Sequence, residues 1–593
     1  MTASILLSLL TFLPCLGALI VLCLPQKQTE ALRLTTLVTT IGVLLLSLFM
    51  FISPPNTGGD VATNVGFLAG EAGMQNNFTM DWIPSFNIYY HMGIDGISLP
   101  LVVLTAFLFV VSMLASWSIT KQVKTYCILY LLLETGVIGV FLSLDFFLFF
   151  VFWEVMLLPM YFLIGVWGGP RREYAATKFF LYTFAGGVMM LIAILLLYYH
   201  SDLTKLSAEQ VAELKLSAPE QAALTKAAEA NRPAHTFNLL ALQKIGMETK
   251  QFSIVDPEVD ALLFGQSVQF WAFLLLFIGF AIKVPSFPVH TWLPDAHVEA
   301  PTPISMILAG ILLKLGGYGI IRICYPICPE AGYALAYPVA LVGVVSIIYG
   351  AFAAMAQKDF KRLVAYSSVS HMGYVVLGMA CWSAVSGTGY TAQYWQMGMN
   401  GAMFQMIAHG LSSAGMFFLV GVVYDRVHHR NLDDFGGLLA IMPRYGFFAM
   451  LIFFAGLGLP GLCGFIGEVF VVLSVFRYDI FLAILSAFAV ILTAGYILWT
   501  IQRVYLGAEY KGPHPEALSE MNWRETLVIA PLTVFAIWFG VYPQALFKYM
   551  QPSIDHEVQQ LADWSATNKP DMPKPEDKPA DEQPKPETKV AER

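Results

Sequence analysis

The chain reads as a succession of apolar runs, each closed by polar residues or by proline and glycine. The runs fall near 3–24, 32–53, 94–117, 124–143, 146–168, 176–199, 268–285, 300–325, 333–356, 363–383, 398–424, 443–472, 479–506 and 526–549. A helix rises about 1.5 Å per residue, so about twenty residues cross a hydrocarbon core of roughly 30 Å. Alternating strands of the barrel type are not seen in the sequence, and helices satisfy their own backbone in lipid. The pattern predicts an all-α polytopic membrane protein of about fourteen transmembrane helices.

Composition supports the same class. Of 593 residues, 57% are hydrophobic and only 12% charged, too little polar surface for soluble domains. The formal charge of -8 is concentrated in 200–260 and 553–593, which argues against nucleic-acid binding. The first run has no basic stretch before it and suits a spanning helix better than a cleaved signal. Seven cysteines are scattered without a C-x-x-C pair, so neither an iron–sulfur cluster nor a zinc site is supported.

Lysine and arginine fall in alternate loops: Lys27 and Arg33; Lys121 and Lys124; Arg171, Arg172 and Lys178; Lys358, Lys361 and Arg362; Arg426 and Arg430; Arg503 and Lys511. These loops are expected to face the cytoplasm of a bacterial inner membrane. The loops at 54–92 and 384–397 contain neither residue, and an even helix count places both termini outside. Residues 201–262 read as an outer-face insertion carrying a short surface helix. The proline-rich, charged end reads as a disordered tail.

Five ionisable residues lie within apolar runs: Glu134, Glu154, Lys283, Lys314 and Glu468. A charge at mid-membrane costs about 2.5–3.5 kcal/mol on insertion scales. One such residue alone could be a packing ion pair; five of both signs favour a proton or charge pathway. Glu134 has the simplest alternative, a hydrogen bond to a neighbouring helix. Pro285 and Pro288 after Lys283, and the stretch GLGLPGLCGFIGE (456–468), predict two broken helices, which survive in a membrane only when buried in protein or lining a cavity. Gly456, Gly458 and Gly461 formally fit G-x-G-x-x-G, yet no strand precedes them, so dinucleotide binding is excluded.

His290, His297, His371 and His409 sit in or beside apolar segments, either as packing residues or as members of a relay. Histidine exchanges protons near neutral pH, and a buried lysine changes proton affinity when a carboxylate approaches or leaves. A row of such groups can pass protons in steps. Nucleotide, haem and cluster motifs are not found in the sequence, so the driving energy is expected from elsewhere.

The stretches FFVFWEVMLLPMYFLIGVWG (149–168), PSFPVHTWLPDAHVEAPTPISMILAGILLKLGGYG (285–319), KDFKRLVAYSSVSHMGYV (358–375), HGLSSAGMFFLVGVVYDR (409–426) and GLPGLCGFIGE (458–468) resemble the antiporter-like membrane subunits of proton-pumping NADH:quinone oxidoreductase, respiratory complex I, most of all the M type, chain 4 in mitochondria. The resemblance runs to about residue 549 and implies two inverted five-helix repeats, each with a broken helix, at Lys283 and at Glu468. It implies Glu154 as partner of Lys283, Lys314 as central relay lysine and Glu468 as terminal group. His290 would link Lys283 to Lys314, and His371 and His409 would connect the halves. The related L and N types carry lysine at the place of Glu468.

The expected layout is N-terminal helices with the start of the first repeat (1–143), the rest of that repeat (144–330, with the 201–262 insertion), the second repeat (331–506), a C-terminal transmembrane helix (507–552) and the tail (553–593). No cofactor is expected in this chain. Flavin, iron–sulfur clusters and quinone are expected in partner subunits, alongside L-type, N-type and small membrane subunits and the lipid bilayer. A subunit of a multisubunit sodium/proton antiporter is the alternative, and a purely structural arm of the complex a third reading.

Overall fold

The computed structural model describes residues 2–53, 65–253, 265–381 and 392–568. Among them, 11 helices are long and apolar enough to cross a membrane. Two broken helices and the more polar Phe360–Met379 complete the count expected from the sequence.

Two sets of five crossings follow the first three helices. The first set is Val123–Leu142, Phe146–Trp167, Arg172–His200, the broken pair Val268–Lys283 and Trp292–Glu299, and Thr302–Ile327. The second is Ala336–Met355, Phe360–Met379, Ala392–Val427, the broken pair Pro443–Leu457 and Cys463–Tyr478, and Ile480–Leu506. In both sets the fourth crossing is the broken one. Trp523–Val541 follows as the last apolar span.

Burial shows where the interior lies. The apolar windows of Thr302–Ile327 and Ala392–Val427 are 100% buried, whereas that of Thr29–Ile52 is 33% buried. Lys314 and His409 thus sit on helices wrapped by protein on every side. Close helix contacts rest on glycine: a Cβ on Gly279 would lie 2.8 Å from the carbonyl oxygen of Gly186.

Three sequence expectations change. First, the outer loop before the third helix contains a two-stranded antiparallel hairpin, Gln75–Ile83 with Ile88–Ile94, pairing Phe78 with Met92 and Met80 with Tyr90. Its aromatic and β-branched residues suit a pleated surface. Second, among the described residues the insertion holds three α-helices where one was expected: Ala208–Glu213, Ala218–Glu229 and Leu239–Glu248. The first two begin in capping boxes, Ser207 with Gln210 and Ser217 with Glu220, which satisfy otherwise free backbone donors. The third buries Leu239, Leu242 and Ile245 and lays Gly246 against Ile327, so it belongs to the core. Residues 254–262 of the insertion lie outside the described residues.

Third, residues 553–568, assigned to the tail, are helical. Helix Gln544–Asn568 buries Phe547, Met550, Ile554, Val558 and Leu561 at three- and four-residue spacing, an apolar stripe that a composition-based reading overlooks. The rest of the tail, from 569 onward, lies outside the described residues.

Candidate functional site

Lys283 closes helix Val268–Lys283, where unpaired carbonyls favour a cation. The break that follows is satisfied locally: Trp292 Nε1 donates to the Ile282 carbonyl (2.9 Å) and the Ser286 amide to that of Ala281 (2.8 Å). The ammonium faces the rings of Trp153 (5.2 Å) and Phe179 (5.6 Å) and makes no hydrogen bond among the described residues.

Glu154 lies on the neighbouring helix beside a slight interruption at Met156, where Pro159 supplies no amide to the Val155 carbonyl. It stands within electrostatic range of Lys283 without touching it, so the expected pair is near but unjoined. Its Oε1 rests against Gly187 of the Arg172–His200 helix: a Cβ there would come within 1.9 Å.

Lys314 sits between two π-helical turns, Leu308–Leu312 and Ile320–Cys324, in the buried helix. Wider turns shift carbonyls off the regular ladder, and such bulges gather at functional sites. Lys314 Nζ donates to the Ala309 carbonyl (2.5 Å) and contacts His409 Nδ1 at 2.7 Å. His409 lies beside His371, with ring centroids 5.7 Å apart. His371 Nδ1 meets Glu468 Oε1 at 3.0 Å, and Gln405 Nε2 donates weakly to the same oxygen at 3.4 Å. Every member is at most 4% exposed. The result is a buried row of two hydrogen-bonded pairs, Lys314–His409 and His371–Glu468, set side by side through the adjacent rings of His409 and His371 and crossing from the first five-helix set into the second.

The contacts admit one consistent arrangement of protons when Lys314 and Glu468 are both charged. An ammonium donating to His409 Nδ1 leaves the proton of that ring on Nε2, and a carboxylate at Glu468 accepts a hydrogen bond from His371 Nδ1–H. The two Nε2 atoms make no hydrogen bonds among the described residues, so the hydrogen-bonded contacts stop at this pair of rings.

His290 departs from expectation. It does not join Lys283 to Lys314; its ring lies against Phe287 (5.9 Å) and Tyr349 (4.9 Å). The cis Phe287–Pro288 segment and Tyr349 hold it to that side of the break. Glu134 is fully buried, and neither of its carboxylate oxygens is hydrogen-bonded among the described residues, contrary to its simplest reading.

Sequence reasoning missed Gln405, four residues before His409 on one helix face, and Lys361, placed in a solvated loop but 4% exposed. It also missed the ion cluster at the outer end of the Lys314 helix, where Arg322 pairs with Asp95 and, at 3.7 Å, with Glu557. The i, i+4 spacing of Gln405 and His409 was the available signal for the first; nothing local marks the cluster.

Two five-helix sets with matched breaks around a charged axis define an antiporter-like membrane subunit. Residues 143–493 match the family model described as NADH:quinone oxidoreductase/Mrp antiporter, TM, and residues 39–140 that of NADH-ubiquinone oxidoreductase chain 4, amino terminus. NADH-quinone oxidoreductase subunit M of Rhodobacter capsulatus is 37% identical over 93% of this chain and 96% of that protein. NADH-ubiquinone oxidoreductase chain 4 of Marchantia polymorpha is 35% identical over 93% and 97%. A chain of respiratory complex I from Thermus thermophilus superposes with a TM-score of 0.73 at 25% identity, covering 94% of this chain and 99% of that one. A chain of the Mrp complex from Dietzia shares the fold (TM-score 0.71, 18% identity, 95% and 99% covered). The chain belongs to the subunit M, or chain 4, family of NADH:quinone oxidoreductase.

Proposed function

We propose that this chain is a proton-translocating membrane subunit of a bacterial NADH:quinone oxidoreductase, seated in the cytoplasmic membrane beside antiporter-like subunits of the L and N types and small membrane subunits. The buried row Lys314–His409–His371–Glu468 carries the reading, because contacts of 2.7 and 3.0 Å pair an amine with one imidazole and a carboxylate with a second, and the two rings lie 5.7 Å apart between centroids. Glu154, Lys283 and His290 form the input side. Movement of Glu154 toward or away from Lys283 changes the proton affinity of the lysine and hence the load on the row. This chain holds no redox group in the proposal; flavin, iron–sulfur clusters and quinone belong to partner subunits, and quinone reduction there drives the row.

The test is purification of the assembly in mild detergent, followed by reconstitution. Co-migration with flavin and iron–sulfur subunits and NADH-driven acidification of the vesicles support the proposal. An assembly without redox cofactors that exchanges sodium for protons would replace it with the antiporter reading. Lys314→Met in the assembled complex is expected to lower proton translocation at least tenfold.

A further inference from the structure

Lys361 stands apart from the row. Asp359 caps helix Phe360–Met379 by accepting the Arg362 amide (2.9 Å), so Lys361 falls in the first turn, and its side chain is buried. Its Nζ donates to the Ala300 carbonyl at 2.5 Å, and Ala300 closes helix Trp292–Glu299. His297 lies in the last turn of that short helix, 0% exposed and stacked on Phe417 with centroids 4.3 Å apart at 11°. Neither of its ring nitrogens has a hydrogen-bond partner among the described residues. It is within electrostatic range of Lys361, Lys314 and His409.

A cation at a helix C-terminus can be a simple cap. Here Arg430 already serves that end, donating to the Val298 carbonyl at 2.6 Å while pairing with Asp359 at 3.1 Å. A second buried cation carries a desolvation cost that a redundant cap does not explain. The charged groups around Lys361 are Arg430, Asp359, Glu299 and Asp425, of which Asp359 and Arg430 lie toward the basic loops.

We propose that Lys361 is the inner inlet of the buried row and passes protons through His297 to Lys314. The step rests on the relay reading above. The Lys361 ammonium gives one proton through intervening water to one nitrogen of His297; the imidazolium releases the proton on its other nitrogen to neutral Lys314. Lys361 is then neutral and is reprotonated from the inner aqueous phase. The stack on Phe417 fixes the ring plane.

The experiment compares Lys361→Arg, Lys361→Met, His297→Phe and Lys314→Met in the assembled complex, in inverted vesicles, reading NADH-driven proton uptake. Assembly on native gels and NADH oxidation by an artificial acceptor serve as controls. Arginine keeps the charge and the bond to the carbonyl but holds its proton at any working pH. Lys361→Arg is therefore expected to assemble normally and lose uptake at least tenfold, as are Lys361→Met and His297→Phe. Full uptake in Lys361→Arg, with Lys314→Met still defective, overturns the inlet and leaves Lys361 a helix cap. Full uptake in His297→Phe overturns the route. Full uptake in Lys314→Met overturns the row itself.

Discussion

Gly187→Ala tests the input side without touching a charge. The added Cβ would lie 1.9 Å from Glu154 Oε1 and 3.0 Å from its Cδ. Ordinary contact is about 3.4 Å, so the carboxylate must withdraw by roughly 1.5 Å. It can do so cheaply, being the end of a flexible side chain. Alanine favours the helix over glycine by about 1 kcal/mol, against an overpacking cost of about 1–3 kcal/mol, which leaves a net cost of about 0–2 kcal/mol, at the low end where a flexible side chain yields. Function is less forgiving: a misplacement of about 1 Å can lower a positioned reaction roughly 100-fold.

The expected outcome in assembled complex is normal NADH oxidation by an artificial acceptor and at least a tenfold fall in NADH-driven vesicle acidification. Gly165→Ala is the matched control, since its Cβ would meet only Ala176 at an ordinary 3.5 Å. Full acidification by Gly187→Ala, with a structure confirming that the Glu154 carboxylate has moved, would refute the idea that its position sets the input.

Glu468→Gln keeps side-chain size and removes the carboxylate that meets His371, so acidification should fall at least tenfold with assembly intact; wild-type rates would take Glu468 out of the row. Arg322→Met leaves Asp95 and Glu557 buried without their cation, and removing one partner of a buried pair costs about 3–5 kcal/mol. Native gels should show loss of assembled complex, regained when Asp95→Asn and Glu557→Gln are added; unchanged assembly in Arg322→Met would contradict the role of the pair. Burial holds His91, in the outer hairpin, down at about 4 from its usual 6.5, partly opposed by Glu220. The unfolded chain then binds more protons between those values, so the stability contributed by neutral His91 is present above pH 6.5 and is lost as pH falls toward 4. Thermal unfolding of the wild type and His91→Gln across that range should converge at low pH; parallel curves would argue against it.

What the sequence revealed and what it hid divide along physical lines. Spanning helices are written locally, as apolar length, and the breaks as proline and glycine, so the fold and Lys283, Lys314 and Glu468 were legible. The contact between Lys314 and His409 joins residues 95 apart, and that between His371 and Glu468 residues 97 apart, on helices whose rotation no periodicity reports. The surroundings of His290 were hidden for the same reason: its neighbourhood in the chain suggested a bridge between the lysines, while its ring packs on Tyr349, from another helix. Lys361 was hidden by its company, because Lys358 and Arg362 make its surroundings read as a solvated basic loop. The C-terminal helix was hidden by composition, since a stripe of five buried residues scarcely alters an average over a polar segment.

The two halves share a steric device that no single-helix reading contains. Glu154 fits because Gly187 opposite it lacks a Cβ, and Glu468 Oε2 would lie 2.6 Å from a Cβ on Gly458, which also adopts φ +78, a conformation that favours glycine. Gly467 plays a related part beside Gln405, where a Cβ would approach Oε1 to 2.4 Å. Each carboxylate therefore lies against bare backbone, with His371 in contact with Glu468 and Lys283 within electrostatic range of Glu154. A carboxylate packed in this way is held close to its proton partner by space rather than by a second ion pair. Neither carboxylate is tied to a lysine or arginine by an ion pair among the described residues, the condition that separates a proton-exchanging group from a purely structural ion pair.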